Sequence, residues 1–284
     1  MLTYALVSAA RNEAEFIEQT IQSIVNQTIQ PVRWIIVSDG STDETDNIIS
    51  RYAAEHDWIE LMRADGDGQR NFGSKAKAVM AGYGRLSSVP FDCIGNLDAD
   101  ITFDPAYYEG ILQKFAEFPK LGLAGGSRRD RCDGEFVEVH QSENSVGGPY
   151  QLFRRECFDT IGGYMSLQYG GIDAVAETST RMHGWDVVCF PEFVAHHHRC
   201  TGTANRTIWE AGFRAGQRDY LIGYHPLFEL ARCAGRAIKH FTPIYNIVLM
   251  AGYTWAALNR KERPVPDKFV QYLQQEQLAR LGFK

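Results

Sequence analysis

Three short polar segments in this 284-residue chain have the residue types and spacing to do phosphate and metal chemistry. In Asp98-Ala99-Asp100, two carboxylates one residue apart follow an apolar run and can hold a hard divalent cation. Such a cation would bridge the two phosphates of a nucleotide diphosphate and neutralise charge developing on the leaving oxygens. The bland alternative is a polar turn with solvated carboxylates. Asp39 heads the run Asp39-Gly40-Ser41-Thr42-Asp43-Glu44. Its carboxylate can accept from a base N–H, while Thr42 or Asp43 supplies helix-capping chemistry. In His196-His197-His198-Arg199, an extended backbone puts His196 and His198 on one face. His198 is then expected to complete a coordination begun at Asp100, and Arg199 to pair with the diphosphate; otherwise the histidines form only a polar strand end. Arg128-Arg129 could likewise touch phosphate, although a solvated loop is the preferred reading.

The elements that must position these groups alternate between strand and helix. Residues 4–8, 34–37, 59–62 and 93–97 are short apolar runs, read as buried strands. Asn12 is expected to cap a helix whose Phe16, Ile17, Ile21, Ile24 and Val25 fall at helical spacing. A second helix runs through Ile48, Ile49 and Tyr52. A Gly-rich loop (Gly66, Gly68, Gly73) precedes a third, over about residues 75–86. Buried strands separated by helices predict an α/β fold with a mostly parallel central sheet. Ligands in such sheets sit outside the carboxyl ends of the strands. The clusters Arg11-Asn12-Glu13, Asp39-Gly40-Ser41 and Asp98-Ala99-Asp100 all fall there.

These segments together resemble family 2 glycosyltransferases. The likeness runs through the strand and helix to Gln27, the Asp39-Gly40-Ser41-Thr42-Asp43 run, Gly73-Ser74-Lys75-Ala76-Lys77-Ala78 and Asn96-Leu97-Asp98-Ala99-Asp100. It continues through residues 150–158 and Ile161-Gly162-Gly163-Tyr164. The resemblance implies a GT-A fold, a nucleotide-diphospho sugar donor with UDP favoured, Mg2+ or Mn2+, and inversion at the anomeric centre. It implies nucleotide contacts from Ala10, Arg11, Glu13, Asp39, Lys75 and Asp98, with Asp100 and Asp98 at the metal. It also implies an acceptor side at Gly148, Arg154 and Arg155. The general base it implies is Asp173, in Gly170-Gly171-Ile172-Asp173, with Glu177 as runner-up. Position 172 is Ile where the family more often has Glu, and Asp173 as a helix N-cap is the alternative.

Composition narrows the remaining classes. A formal charge of −6 argues against nucleic acid as partner. The charge is uneven: residues 226–284 carry +5, leaving −11 for residues 1–225. Six scattered cysteines without a C-x-x-C pair read as reduced, mostly buried thiols. With no secretory signal at the first residues, the expected location is cytoplasmic. Residues 1–225 are expected to form the catalytic domain and 226–284 a helical extension. In that extension Arg232, Arg236 and Lys239 interleave with Leu227, Phe228, Leu230, Ala231, Ala234, Ala237 and Ile238 as a basic amphipathic helix. Residues 243–258 follow, almost wholly apolar but short of the ~20 residues a spanning helix wants. Such a pair suits peripheral attachment to the inner leaflet near a glycan or polyprenyl-linked acceptor, or burial as a lid or between subunits of a homo-oligomer. A sugar-nucleotide nucleotidyltransferase would need a Gly-rich basic loop where Ala9-Ala10-Arg11-Asn12-Glu13 stands, and a dinucleotide oxidoreductase G-x-G-x-x-G. A non-catalytic scaffold would not need Asp39, Asp98, Asp100 and Asp173 together.

Overall fold

The computed structural model describes residues 1–64, 72–200, 207–240 and 243–283; Gly66 and Gly68 of the expected loop lie outside them. The chain divides into two compact units, Met1–Ser166 with Ile172–Thr201, and Leu167–Gly171 with Gly202–Lys284. A division at 225/226 would split the helices of the second unit, so the boundary lies earlier than the sequence suggested.

In the first unit β1 (Tyr4–Ala10), β2 (Arg33–Asp39), β3 (Ile59–Ala64) and β4 (Cys93–Asn96) are parallel, in the order β3-β2-β1-β4. Tyr4, Leu6, Val7, Ile35, Ile36 and Val37 are fully buried, as continuous apolar runs in a parallel sheet require. Trp34 is equally buried, its Nε1 donating to Ser8 Oγ at 2.9 Å. Beyond β4 the directions mix. The order continues β8 (Leu152–Arg154), β6 (Leu121–Cys132), β9 (Asp186–His197) and β5 (Ile101–Phe103), with β7 (Glu135–Val139) on β6. β8 is antiparallel to both β4 and β6, whereas β6 and β9 are parallel.

The helices of this unit are α1 (Ile17–Val25), α2 (Thr45–Glu55), α3 (Phe72–Arg85), α4 (Tyr107–Glu117), α5 (Arg155–Ile161) and α6 (Ile172–Met182). α3 lies close on the sheet because Gly82 has no side chain: a Cβ there would stand 2.5 Å from Val7 Cγ1. α1 buries Ile17, Thr20, Ile21 and Ile24, and Thr20 Oγ1 donates to Ala99 O at 2.9 Å, fixing the turn between the two aspartates. Asn12 does not cap α1. It sits in the left-handed region (φ 54°), and its Oδ1 accepts from Thr42 N at 2.8 Å. The N-cap of α2 is Glu44 and neither Thr42 nor Asp43; Asp43, one residue before it, accepts from Thr45 N at 3.1 Å through its Oδ1.

Cys93, Cys157, Cys189 and Cys233 are free, buried thiols, but Cys132 and Cys200 form a disulfide. The parallel register of β6 and β9, with Asp130 opposite His197, carries these distant cysteines to a Cα separation of 4.8 Å. Their spacing in sequence holds no trace of that.

The second unit contains α7 (Ile208–Ile222), α8 (Pro226–His240), α9 (Pro243–Leu258) and α10 (Asp267–Arg280). α7 opens on a capping box, Thr207 with Glu210. α7 and α9 touch backbone to backbone: a Cβ on Gly216 would lie 1.9 Å from Leu249 O, and one on Gly252 2.1 Å from Phe213 O. α8 is amphipathic as expected, with its charged face turned inward. Glu229 is fully buried, Arg232 bonds Glu229 and Asp219, and Leu227 and Leu230 face solvent.

Gly252→Val should lower the unfolding free energy by about 1–3 kcal/mol in denaturant titrations, because a backbone carbonyl occupies the space a side chain needs. Gly235→Ala, in α8 with nothing within 4 Å of the new Cβ, should raise it by up to about 1 kcal/mol.

Candidate active site

The parallel strands align their carboxyl ends. Ala10 pairs with Ser38 and Val7 with Asn96, so the segments after β1, β2 and β4 emerge at one sheet edge. Ala10 is buried, and what it offers a ligand is its backbone. Arg11 Nη1 stands 4.0 Å from Asp39 Oδ2. The two loops are laced together: Asn12 N donates to Ser41 Oγ (3.2 Å), Glu13 N to Thr45 Oγ1 (2.8 Å) and Ala14 N to Asp43 Oδ2 (3.1 Å). Arg11, Glu13 and Asp39 are thus held on a fixed rim.

Lys75, in the first turns of α3, donates to both oxygens of Asp98 at 2.5 and 2.7 Å. Burial opposes the charge of Lys75, but Asp98 above all, and then Asp173 and Asp100, outweigh it and raise the ammonium above its ordinary range. One cation therefore feels all three carboxylates. Asp98 N donates to Pro149 O (2.8 Å) and Asn96 Nδ2 to Gly148 O (2.7 Å), which ties the segment at 148–149 to the end of β4.

Asp100 is buried. Arg199 Nη1 lies 3.2 Å from its Oδ2, and the same guanidinium grips both oxygens of Glu13 while stacking 4.6 Å over Phe16. The imidazole that faces Asp100 belongs to His197, with Nε2 3.4 Å from Asp100 Oδ2 and Nδ1 3.1 Å from Asp130 Oδ1. Burial would raise the Asp100 carboxyl, but His197, Arg199 and Lys75 outweigh it and hold it below the usual range. The expected His198 is one residue off. Its Nε2 meets Thr102 Oγ1 at 2.8 Å and its ring lies against Phe136. Strand alternation gives the reason: His197 pairs with Ile101 at the end of β9, so the neighbouring imidazoles turn to the other face.

Asp173 lies within the first turn of α6, past the cap position, and opens on a cleft of about 220 Å3. Gly148, Arg128, Gln141 and Glu177 are among its lining. A Cβ on Gly148 would come 2.8 Å from Asp173 Oδ2, so only glycine leaves that carboxylate its room. Ile172, the departure from the family pattern, is buried. Glu177 is buried too, its Oε1 accepting from Val146 N (2.7 Å) and Ser145 Oγ (3.1 Å), and burial pushes its carboxyl up to about 7.

Arg154 and Arg155 do not join the site. β8 is antiparallel to β4 and Arg154 pairs with Cys93, the first residue of β4, which places it at the opposite edge. Its guanidinium donates to Leu121 O (3.1 Å) and Phe115 O (2.7 Å). Arg155 donates to Val89 O (3.1 Å) and stacks on Phe91 at 4.2 Å. Both brace the chain. From sequence alone His198 is favoured over His197, a solvated loop is preferred for Arg128, and Asp130 is passed over; the structure places His197, its partner Asp130, and Arg128, whose Nε is 2.9 Å from Asp130 Oδ1, here together. An Arg-x-Asp spacing in a strand, which puts both side chains on one face, is the signal that could have found the last two.

Asp100 with His197 is a two-donor set. Mg2+ is commonly held by one or two carboxylates plus substrate phosphates, and this set fits a cation that brings its other ligands from a diphosphate. Among the described residues no group of three or more His, Cys, Asp or Glu side chains assembles into a closed cage.

Residues 6–171 match the family described as Glycosyl transferase family 2. The chain is similar to the poly-beta-1,6-N-acetyl-D-glucosamine synthase of Staphylococcus aureus (strain COL), with 34% identity over 175 residues. That match covers 54% of this chain and 40% of the synthase. The Staphylococcus epidermidis synthase is 25% identical over 204 residues, 63% of this chain and 45% of the relative. The chain thus spans under half the length of these curated relatives. Two solved structures share the fold. One is mannosyltransferase PcManGT from Pyrobaculum calidifontis in complex with GDP-Man and Mn2+, at 16% identity and TM-score 0.59, covering all of this chain and 81% of that one. The other is S. aureus TarS 1-349 in complex with UDP-GlcNAc, at 11% identity and TM-score 0.60, covering 98% and 83%. With more than half of its length matched, the chain belongs to glycosyl transferase family 2 and is a glycosyltransferase of the GT-A fold.

Proposed function

We propose that the protein is an inverting transferase that moves a sugar from a nucleotide-diphospho sugar, UDP favoured, to a hydroxyl of a glycan or lipid-linked acceptor. The observation that carries this reading is the grouping of Asp98, Asp100 and Asp173 about Lys75 at the carboxyl edge of the parallel strands. Asp39 and Arg11 stand where a base and ribose would reach the ends of β1 and β2. Mg2+ or Mn2+ held by Asp100 with His197 would neutralise charge on the departing diphosphate, beside Asp98 on Lys75. Asp173 takes the proton of the acceptor hydroxyl as its oxygen bonds to the anomeric carbon. The bond from that carbon to the phosphate oxygen breaks, and the electron pair leaves with the diphosphate. The relatives named as synthases of a polymer, and the neighbours holding GDP-Man and UDP-GlcNAc, support this choice of donor and acceptor classes.

Calorimetric titration of UDP, GDP and TDP, each with Mn2+ and with EDTA, tests the donor half. One nucleotide should bind with metal and weaken at least tenfold in EDTA and in Asp98→Ala/Asp100→Ala; no binding of any nucleotide with Mn2+ present sinks the reading. Asp173→Asn should leave that affinity within about threefold while the release of nucleotide from its sugar donor drops about 10²–10⁴-fold; an unchanged rate removes Asp173 as base. Glu177 separates by pH. Its value of about 7 in the folded chain exceeds the ordinary 4.5, so between these values the folded chain holds the proton more tightly than the unfolded one. Stability should therefore fall as pH rises from about 5 to about 8, by up to about 3 kcal/mol. Glu177→Gln should flatten that slope in denaturant midpoints measured across the range.

A further inference from the structure

Within the helical unit, α8 is built inside out. Asp219 is 1% exposed and Glu229 fully buried, and Arg218 and Arg232 are turned toward them. Tyr224 stacks on Arg232 within the same group, at 4.8 Å. Charges that ordinarily face water are spent on one another. The outward positions are apolar instead. On α8 they are Leu227, Leu230, Ala231 and Ala234, at helical spacing. On α9 they are Ile244, Ile247, Ala251, Trp255 and Leu258, again at intervals of three and four, with the uncharged Thr254 among them and Ile247 68% and Leu258 79% exposed. No described side chain at these outward positions of α8 and α9 carries a charge. Exposed apolar stripes of this kind mark a contact with something apolar.

The charge around it selects the occupant. Arg260 and Lys261 follow α9 directly, and Lys261 Nζ lies 5.3 Å over the Trp255 ring. Residues 226–284 carry +5 against −11 for the rest of the chain. A second copy meeting this face across a twofold axis would bring the same basic residues together. Anionic lipid headgroups over an apolar interior complement both features, and an aromatic ring beside a cation suits the boundary between them. Among the described residues no helix is long and apolar enough to cross a membrane, so the fitting geometry is in the plane of the interface. We propose that the outer faces of α8 and α9 dock the protein on an anionic lipid surface. This docking stands apart from the donor chemistry.

Flotation of the full chain with vesicles tests it. Binding to equimolar phosphatidylglycerol and phosphatidylcholine should exceed binding to phosphatidylcholine alone at least tenfold and weaken in high salt. Leu230→Glu/Ile247→Glu should lose at least tenfold, and Leu258→Glu, at the exposed helix end, should lose part of it with an unchanged unfolding midpoint. Nucleotide affinity should stay within twofold in each variant, which keeps a failure here distinct from a failure of the transferase reading. Absent vesicle binding, equal binding by the double variant, or a wild-type dimer that these substitutions turn to monomer without change in lipid binding would overturn the proposal.

Discussion

Carboxylates gathered at one sheet edge repel one another, and the edge holds together here because cations from distant segments are built into it. Lys75 comes from α3 and Arg199 from just past the end of β9, and they meet Asp98, Asp100 and Glu13 from the ends of β4 and β1, while the His197 imidazole stands between Asp100 and Asp130. Removing a cation would leave buried negative charge uncompensated, which costs several kcal/mol. The parallel strands supply the place, and the pairings supply the reason that the place can be so acidic. The same cations are available to a phosphate when a ligand takes over the carboxylates' role as partner.

Part of this was open to reading in the chain. Continuous apolar runs alternating with helical spacing are the direct outcome of strands buried on both faces, and a polar cluster after such a run has only one edge to occupy. Asp39, Asp98 and Asp100 follow from that logic, whereas Lys75, inside α3, came from family likeness. Asp173 followed from family likeness, and its place in the first turn of α6 is a structural fact that spacing did not supply. The failures share a cause. Which imidazole of three faces Asp100 depends on the register of β9 against β5, and a shift of one residue exchanges the faces. Arg154 and Arg155 were misplaced because β8 runs against β4, and strand direction leaves no mark in a three-residue segment.

α8 shows a deeper limit. Periodicity reveals that a helix has two unlike faces but does not say which one turns inward. The usual choice assumes that charges cannot be matched inside. Here Arg218 and Asp219 on α7 meet Glu229 and Arg232 on α8, so the charged face is the one that is covered. The pair that joins the two helices is Arg232 with Asp219, and its meeting is decided by packing.

The disulfide between Cys132 and Cys200 closes a covalent ring across a sequence separation of 68. Inside that ring lie Gln141, Gly148, Asp173, Glu177 and His197; Asp39, Lys75 and Asp98 lie outside it. On a chain-entropy view, a ring of that size restrains the unfolded chain by about 4 kcal/mol. The thiol–disulfide balance of the surroundings therefore bears on the durability of the segment that carries Asp173, and leaves the strands bearing Asp39 and Asp98 without any such tether.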